Sequence, residues 1–373
     1  MDLFELTEKI MQEDYAIKTQ GIKYAGSKRE IIPKILQLIP SDVVSVLDAC
    51  SGSTRVSQSL RKSGYKTTSN DLADYSRVFS ECFLLNEKEE SYYQDWIDHL
   101  NSVSGVEGWF TKNYGGVVSN NPKGNAIQDD GLRRPFQKHN MMKLDSILLE
   151  IPNLTTDPIE KSVLLTSVLL AVDKVDNTIG HFVAYLKDWP KRSYEYIRLE
   201  VPNLIPKGNV CKVSQKSVFD IEEEYDLVYL DPPYGTNSEH KTTRVRYKSY
   251  YHIWTTICKN DQPTLHGASL RRYDSSSDTI KGSLSLFEET DSRLVYKETV
   301  RLIEKLKCKY IMFSYSNKSI LSKSDLESIF GRYKILAFDE FQHKENAMKH
   351  TTINNQWLGD QGENKEFLIL VQK

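Results

Sequence analysis

Short apolar, β-branched runs recur along the chain at residues 43–47, 209–213, 225–230 and 310–313, and each gives way to loop-forming residues at its carboxyl end. Runs of this length and composition predict strands buried on both faces, as in a parallel sheet. Between them lie helical periodicities, such as 53–63 and 292–307. Strand alternating with helix predicts an α/β fold with a doubly wound, mostly parallel sheet, whose ligands bind at the carboxyl edge of the strands. Two further runs, 333–338 and 366–371, flank a polar stretch from 342 to 364 carrying Lys344, Lys349 and His350. They predict a C-terminal antiparallel hairpin whose loop is long enough to suggest a functional role.

From about residue 83 to 204 the strand rhythm stops, and helical patterns broken by Pro and Gly take over. We therefore divide the chain into a strand-bearing domain, 1–82 with 205–373, and a mainly helical insertion, 83–204, that reads as a separate module. One helix start in the insertion is well signalled: Asp157 as N-cap, Pro158 at the first helical position and Glu160 completing a capping box, ahead of the apolar run 163–175. A second polar excursion, 235–287, carries Arg244, Arg246, Lys248, Arg271 and Arg272.

The 373 residues suffice for one catalytic unit and one recognition unit. With 49 basic against 51 acidic residues the net charge is -2, so a polyanion would need basic residues gathered on one face. The acidic N-terminus lacks a signal-peptide core and no run is long enough to span a bilayer, which predicts a soluble protein of the cytoplasm. The five cysteines are scattered and never form a CxxC pair, a pattern that argues against a disulfide framework or a metal cluster.

The strongest chemical signal is Asp231-Pro232-Pro233-Tyr234, directly after the apolar run 226–230. An exocyclic amine on a nucleobase is a poor nucleophile because its lone pair is delocalised into the ring. A carboxylate and a main-chain carbonyl that accept its two N–H bonds localise that pair, and Asp231 and the carbonyl of Pro232 supply both. The prolines stiffen the loop and remove their own donors, leaving an edge made only of acceptors. Tyr234 offers a face for a base extruded from the duplex, a contact worth about 1–3 kcal/mol.

The segment 46–54 reads as a strand, a turn of small residues and a helix start. Asp48, Cys50, Ser51, Gly52 and Ser53 surround that turn, and Asp71 at the end of the next strand is placed to accept a ribose diol. This pattern is common to NAD, FAD and S-adenosylmethionine sites. With one glycine and no Gly-x-Gly-x-x-Gly, a cofactor without pyrophosphate fits better. Upstream, Tyr24 can pack on an adenosyl group, and Lys28 can pair with Asp231 or hold a carboxylate.

In the order Lys23 to Lys28, Asp48 to Thr54, Asn70-Asp71, a recognition region and Asp231 to Tyr234, the chain resembles the alpha-group DNA adenine-N6 methyltransferases of restriction–modification systems. Similar segments are Arg134-Pro135-Phe136 with Asn140, Lys143, Leu144 and Asp145, then Asn177-Thr178-Ile179-Gly180, Asp261-Gln262-Pro263, and Phe313-Ser314-Tyr315-Ser316-Asn317. The resemblance implies a Rossmann-like methyltransferase fold and S-adenosyl-L-methionine as methyl donor. The substrate it implies is a flipped-out adenine in double-stranded DNA. It also implies that Tyr24, Lys28, Cys50 and Asp71 line the cofactor pocket, with Asp231 reaching both cofactor and adenine, and that Tyr315 and Asn317 lie near the cleft. A cognate restriction endonuclease that acts independently, and a monomeric or weakly dimeric state, belong to the same expectation.

Two departures stand out. The family's Phe-x-Gly-x-Gly turn is Cys50-Ser51-Gly52-Ser53-Thr54 here, and the acidic residue often found at the position of Ser217 is missing. Grouped basic residues are candidates for phosphate contacts: Lys28, Arg133, Arg134, Lys241, Arg244, Arg246 and Lys248, with Lys187, Lys191, Arg192, Arg271 and Arg272, and Asn317 as a polar contact. The alternatives are a cytosine-N4 enzyme, for which the family pattern has Ser before Pro-Pro-Tyr, a non-catalytic nucleic-acid-binding subunit, and an oxidoreductase on a similar sheet.

Overall fold

The computed structural model describes residues 14–118, 125–233, 246–275, 286–289, 291–342 and 365–373. Tyr234, Lys241, Arg244, Lys344, Lys349 and His350 lie outside these residues. Seven strands form the main sheet: β1 (Ser45–Asp48), β2 (Lys66–Asn70), β3 (Lys212–Ser214), β4 (Glu224–Leu230), β5 (Lys307–Ser316), β6 (Lys334–Gln342) and β7 (Lys365–Gln372). Their order is β6-β7-β5-β4-β1-β2-β3. Neighbours from β5 through to β3 pair in parallel, while β7 runs antiparallel to both β5 and β6. The mostly parallel sheet and the terminal antiparallel pair are as the apolar runs predict.

The central strands are apolar on both faces because both faces are covered. Leu47, Val228, Ile311 and Ile369 belong to one buried cluster with helix Ser292–Lys305 and helix Lys323–Phe330, whereas Val46, Tyr229, Met312 and Leu368 pack on the other side with helices Ile32–Leu38 and Arg55–Lys62. A third cluster joins helix Asp74–Ser80 to the helices Glu90–Ser102, Trp109–Tyr114, Lys138–Leu154, Pro158–Lys174 and His252–Lys259. Residue 83 falls inside a π-turn, Glu81–Leu85, that continues the helix Asp74–Ser80, so the helical segment shares a core with elements on either side of it.

Several boundaries shift for local reasons. The helix predicted from 53 starts at Arg55, because Thr54 takes a left-handed conformation with φ 61°. The helix predicted to 307 stops at Lys305, and Lys307 already opens β5. Asp157 caps its helix by accepting from the amides of Ile159 and Glu160. The capping box does not close: Glu160 accepts from Thr155 Oγ1 at 2.6 Å, and Thr155 Oγ1 in turn accepts the Asp157 amide at 3.0 Å.

Candidate active site

In a doubly wound sheet the loops diverge where successive connections leave to opposite sides, here between β1 and β4, and a crevice opens beyond the carboxyl ends of those strands. A cavity of about 650 Å³ occupies that position. Asp48 ends β1, Asp71 follows β2 and Asp231 follows β4, and all three line it, as do Tyr24, Lys28, Cys50, Ser51, Gly52 and Ser53. Pro232 and Pro233 line it as well. The structure thus brings together every candidate cofactor residue and the described part of the Asp-Pro-Pro-Tyr motif.

The turn after β1 is tied down by its own amides. Ala49 donates to the Tyr229 carbonyl at 3.0 Å, Ser51 to the Asn70 carbonyl at 3.0 Å, Gly52 to Asp71 Oδ2 at 2.8 Å and Thr54 to the Ser51 carbonyl at 2.6 Å. Asp71 also accepts the Ala73 amide through Oδ1 at 2.9 Å, so one carboxylate fixes two loops. Asn70 does the same for strand ends. Its Nδ2 donates to the carbonyls of Ala49 and Lys216, and its Oδ1 accepts from Ser214 Oγ and the Lys216 amide.

Gly52 has φ +50°, and a Cβ there would sit 2.9 Å from the Tyr24 ring, so only glycine lets the turn approach that ring. Tyr24 stacks on Tyr251 with centroids 4.5 Å apart and meets Tyr75 edge-on at 6.2 Å. The Tyr251 hydroxyl accepts the Ala25 amide at 2.6 Å, and Tyr247 donates to the Ala25 carbonyl at 3.2 Å. Tyr247 therefore braces the 24–26 turn, and Tyr250 stacks on His181 at 4.4 Å.

Acidic and basic side chains line the cavity in equal number among the described residues, with the carboxyls of Asp48, Asp71 and Asp231 gathered at the strand ends. Burial raises the Asp48 carboxyl to about 7, against the lowering effect of the Ser57 hydroxyl, with Asp231 and Asp71 adding to the rise. Burial also pushes Asp71 up, opposed by its backbone hydrogen bonds, and pushes the Cys50 thiol well up, helped by the three carboxylates. Lys28, 7% exposed, meets Asp231 Oδ1 at 2.8 Å, Glu366 Oε1 at 3.1 Å and the Gly26 carbonyl at 3.0 Å. Burial pulls its ammonium down, yet the charges of Asp231 and Glu366 outweigh this and hold it above the ordinary lysine value. The predicted Lys28–Asp231 pair is present. Glu366 is a site residue that sequence reasoning missed, and its only signal is a charge inside an otherwise apolar strand.

The candidate DNA contacts are dispersed. Arg133 is exposed, with Nη1 on the Tyr185 carbonyl at 2.9 Å, whereas Arg134 is buried and paired with Asp130 at 2.5 Å. Arg272 is 2% exposed and held by Asp261 and Asp274 as an internal peg, whereas half-buried Arg192 reaches in to pair with the buried Asp176. Lys248 is exposed at the cavity, and half-buried Arg246 precedes the helical turn Tyr247–Tyr250. Asn317 extends the β5–β7 ladder, its Oδ1 accepting the Lys365 amide at 2.9 Å, and Tyr315 is buried beneath the sheet against Phe313. Neither of them lines the cavity.

The profile of the D12 class N6 adenine-specific DNA methyltransferases matches residues 24–329. The chain belongs to this family. Among its relatives, modification methylase LlaI of Lactococcus lactis subsp. lactis is 27% identical over 367 residues, 94% of this chain and 55% of LlaI. Modification methylase StsI of Streptococcus sanguinis is 25% identical, covering 84% of this chain and 47% of StsI. Type II methyltransferase M2.HphI of Haemophilus parahaemolyticus is 24% identical over 90% of this chain and 97% of its own length. The chain thus spans about half the length of LlaI and StsI and nearly all of M2.HphI. Among the described residues no helix is long and apolar enough to cross a membrane, and no cluster of metal-binding side chains occurs.

Proposed function

We propose that this D12-class chain transfers a methyl group from S-adenosyl-L-methionine to N6 of a flipped-out adenine in double-stranded DNA, as the modification component of a restriction–modification system. The observation that carries the reading is the Asp231 carboxylate at the carboxyl end of β4, opening onto the same cavity as Asp71.

The cavity suits this cofactor on its donor chemistry. The carboxyl groups of Asp48, Asp71 and Asp231 gather at the strand ends of the cavity, and acceptors there favour a cation such as a sulfonium over an anionic pyrophosphate. The amides of Ala49, Ser51, Gly52 and Thr54, which a phosphate would need, are already bound within the protein. Tyr24 and the turn packed against it line the cavity together, and the ring offers a face for a flat group. Asp71, Gly52, Cys50 and Tyr24 would hold the cofactor. When bound, it supplies an electrophilic methyl on sulfur. Asp231 and the Pro232 carbonyl accept the two N–H bonds of the adenine amine and aim its lone pair at that carbon, with no covalent enzyme intermediate. Aspartate rather than serine before Pro-Pro-Tyr favours adenine over cytosine. Stacking by Tyr234 is inferred from the motif.

We assign DNA recognition to the 83–204 insertion, with Arg133 and the 241–248 group on phosphates. The reading extends to a cytoplasmic protein, at the nucleoid when bound to DNA, monomeric or weakly dimeric, with an independently acting endonuclease. Incubating purified protein with S-adenosylmethionine and duplexes of varied sequence, followed by nucleoside mass spectrometry, tests the reaction. N6-methyladenine should appear with the wild type and vanish with Asp231→Ala, whose fold stays intact. Unmodified adenine with the wild type, or near-normal turnover in the variant, overturns it.

A further inference from the structure

β7 carries an anomaly. Glu366, Leu368 and Leu370 share one face of the strand, as do Tyr310, Met312 and Ser314 of the neighbouring β5, and that face is otherwise packed with apolar side chains. Glu366 is 5% exposed there. Its Oε1 accepts from Ser314 Oγ at 2.7 Å and pairs with Lys28 Nζ at 3.1 Å. Burying a charge in such a place is costly unless it is paired, and Lys28 already has a partner in Asp231. Glu366 thus gives Lys28 a second carboxylate partner beside Asp231, an arrangement that packing does not require.

The geometry shows what the sharing does. An ammonium has three protons, and Asp231 Oδ1, Glu366 Oε1 and the Gly26 carbonyl stand at 2.8, 3.1 and 3.0 Å from Lys28 Nζ. These contacts tie the ammonium to three different segments and bring it against one oxygen of Asp231. Sharing the ammonium also limits how far it neutralises Asp231. A carboxylate fully paired with lysine is a weaker acceptor for the amine, whereas one whose partner is divided keeps its lone pairs available.

We infer that Glu366 is a positioning residue for methyl transfer: anchored by Ser314, it draws Lys28 away from full pairing with Asp231 and so keeps the Asp231 carboxylate oriented and strong as an acceptor. The inference rests on the role proposed above for Asp231. Its chain of contacts runs from Ser314 through Glu366 and Lys28 to Asp231, and Glu366 itself touches no reacting atom.

Glu366→Gln preserves shape and removes the charge. The variant should lose roughly tenfold to a hundredfold in kcat, the scale of one hydrogen bond to a charged group. Its KM for DNA and its calorimetric Kd for S-adenosylmethionine should stay within about twofold of wild type, a split that general loosening of the fold would not give. Ser314→Ala should shift kcat in the same direction by less. In a Lys28→Met background, Glu366→Gln should cost clearly less than it does alone, because its effect passes through the lysine.

A kcat within twofold of wild type in Glu366→Gln overturns the inference. So does an equal loss of cofactor affinity, or full additivity with Lys28→Met. Should Glu366→Gln show no cooperative thermal transition, Ser314→Ala decides, and wild-type kcat in that variant overturns the inference. A wild type that leaves adenine unmethylated defeats the assigned reaction, whereas a methylating wild type with an unimpaired Glu366→Gln defeats the positioning role alone.

Discussion

Gly52 and Tyr24 are in contact through the absence of a side chain: a Cβ on Gly52, where φ is +50°, would lie 2.9 Å from the ring. Gly52→Ala must therefore either tilt Tyr24 off Tyr251 or flatten the turn that carries the Gly52–Asp71 hydrogen bond. A left-handed alanine adds about 1–2 kcal/mol of strain. We expect a thermal midpoint lower by a few degrees, and a Kd for S-adenosylmethionine raised at least tenfold in calorimetry. Unchanged affinity would separate the turn from the cofactor site.

Asp71 gives a complementary prediction. Its two oxygens hold the Gly52 and Ala73 amides, so Asp71→Asn turns a carboxamide NH₂ toward one amide donor and weakens both loops. Hydrogen bonds to charged groups are worth about 1.5–3 kcal/mol, so cofactor affinity should fall roughly tenfold to a hundredfold while the far-ultraviolet circular dichroism stays that of wild type. Wild-type affinity in a folded Asp71→Asn protein would refute the cofactor role.

These residues differ in how far the chain alone disclosed them. Asp231 was legible because it follows an apolar run that reads as a buried strand, and strand ends are where such sheets bind ligands, whereas Asp71 follows the polar strand Lys66–Asn70 and was legible from its spacing behind the turn at Gly52. The turn of Cys50 to Thr54 looks deficient beside the family pattern because it has one glycine. Thr54 nevertheless takes φ 61°, a left-handed conformation that glycine adopts most readily, and its carbonyl accepts the Gln58 amide at 2.9 Å. Glu366 was not legible, because its meaning comes from Lys28, 338 positions earlier in the chain, and no local period encodes a partner brought together by β7 inserting beside β5. The partners of two basic residues were illegible for a related reason. Arg272 and Arg192 look like surface charge in sequence, and only the fold reveals the carboxylates that hold them.

Asp145 illustrates a residue within a family-like segment whose contacts are structural. Buried on helix Lys138–Leu154, it accepts from the amides of Gly108, Phe110 and Thr111 and from Thr111 Oγ1, and so it seats the start of helix Trp109–Tyr114. Asp145→Ala leaves three amides without their acceptor and should cost about 3 kcal/mol or more. Chemical denaturation should show the loss, and cofactor affinity measured well below the unfolding midpoint should be unchanged. A stability loss under about 1 kcal/mol would show that these contacts are dispensable.

Two buried groups should leave opposite signatures in the pH dependence of stability. Burial lifts Asp48 to about 7, whereas an unfolded aspartate titrates near 4. Between those values the folded chain binds the extra proton, so this group makes stability fall as pH rises. Burial depresses His252 to about 3, whereas an unfolded histidine titrates near 6.5. Between those values the unfolded chain binds the extra proton, so this group makes stability rise with pH. Each contributes at most about 1.4 kcal/mol per pH unit, and across their shared window they largely cancel. Urea unfolding of Asp48→Asn should therefore give stability that climbs relative to wild type from pH 4 to pH 7. His252→Gln should gain on wild type as pH falls below about 6.5. Variant-to-wild-type differences that stay constant with pH would mean that neither group is held in the protonation state its burial dictates.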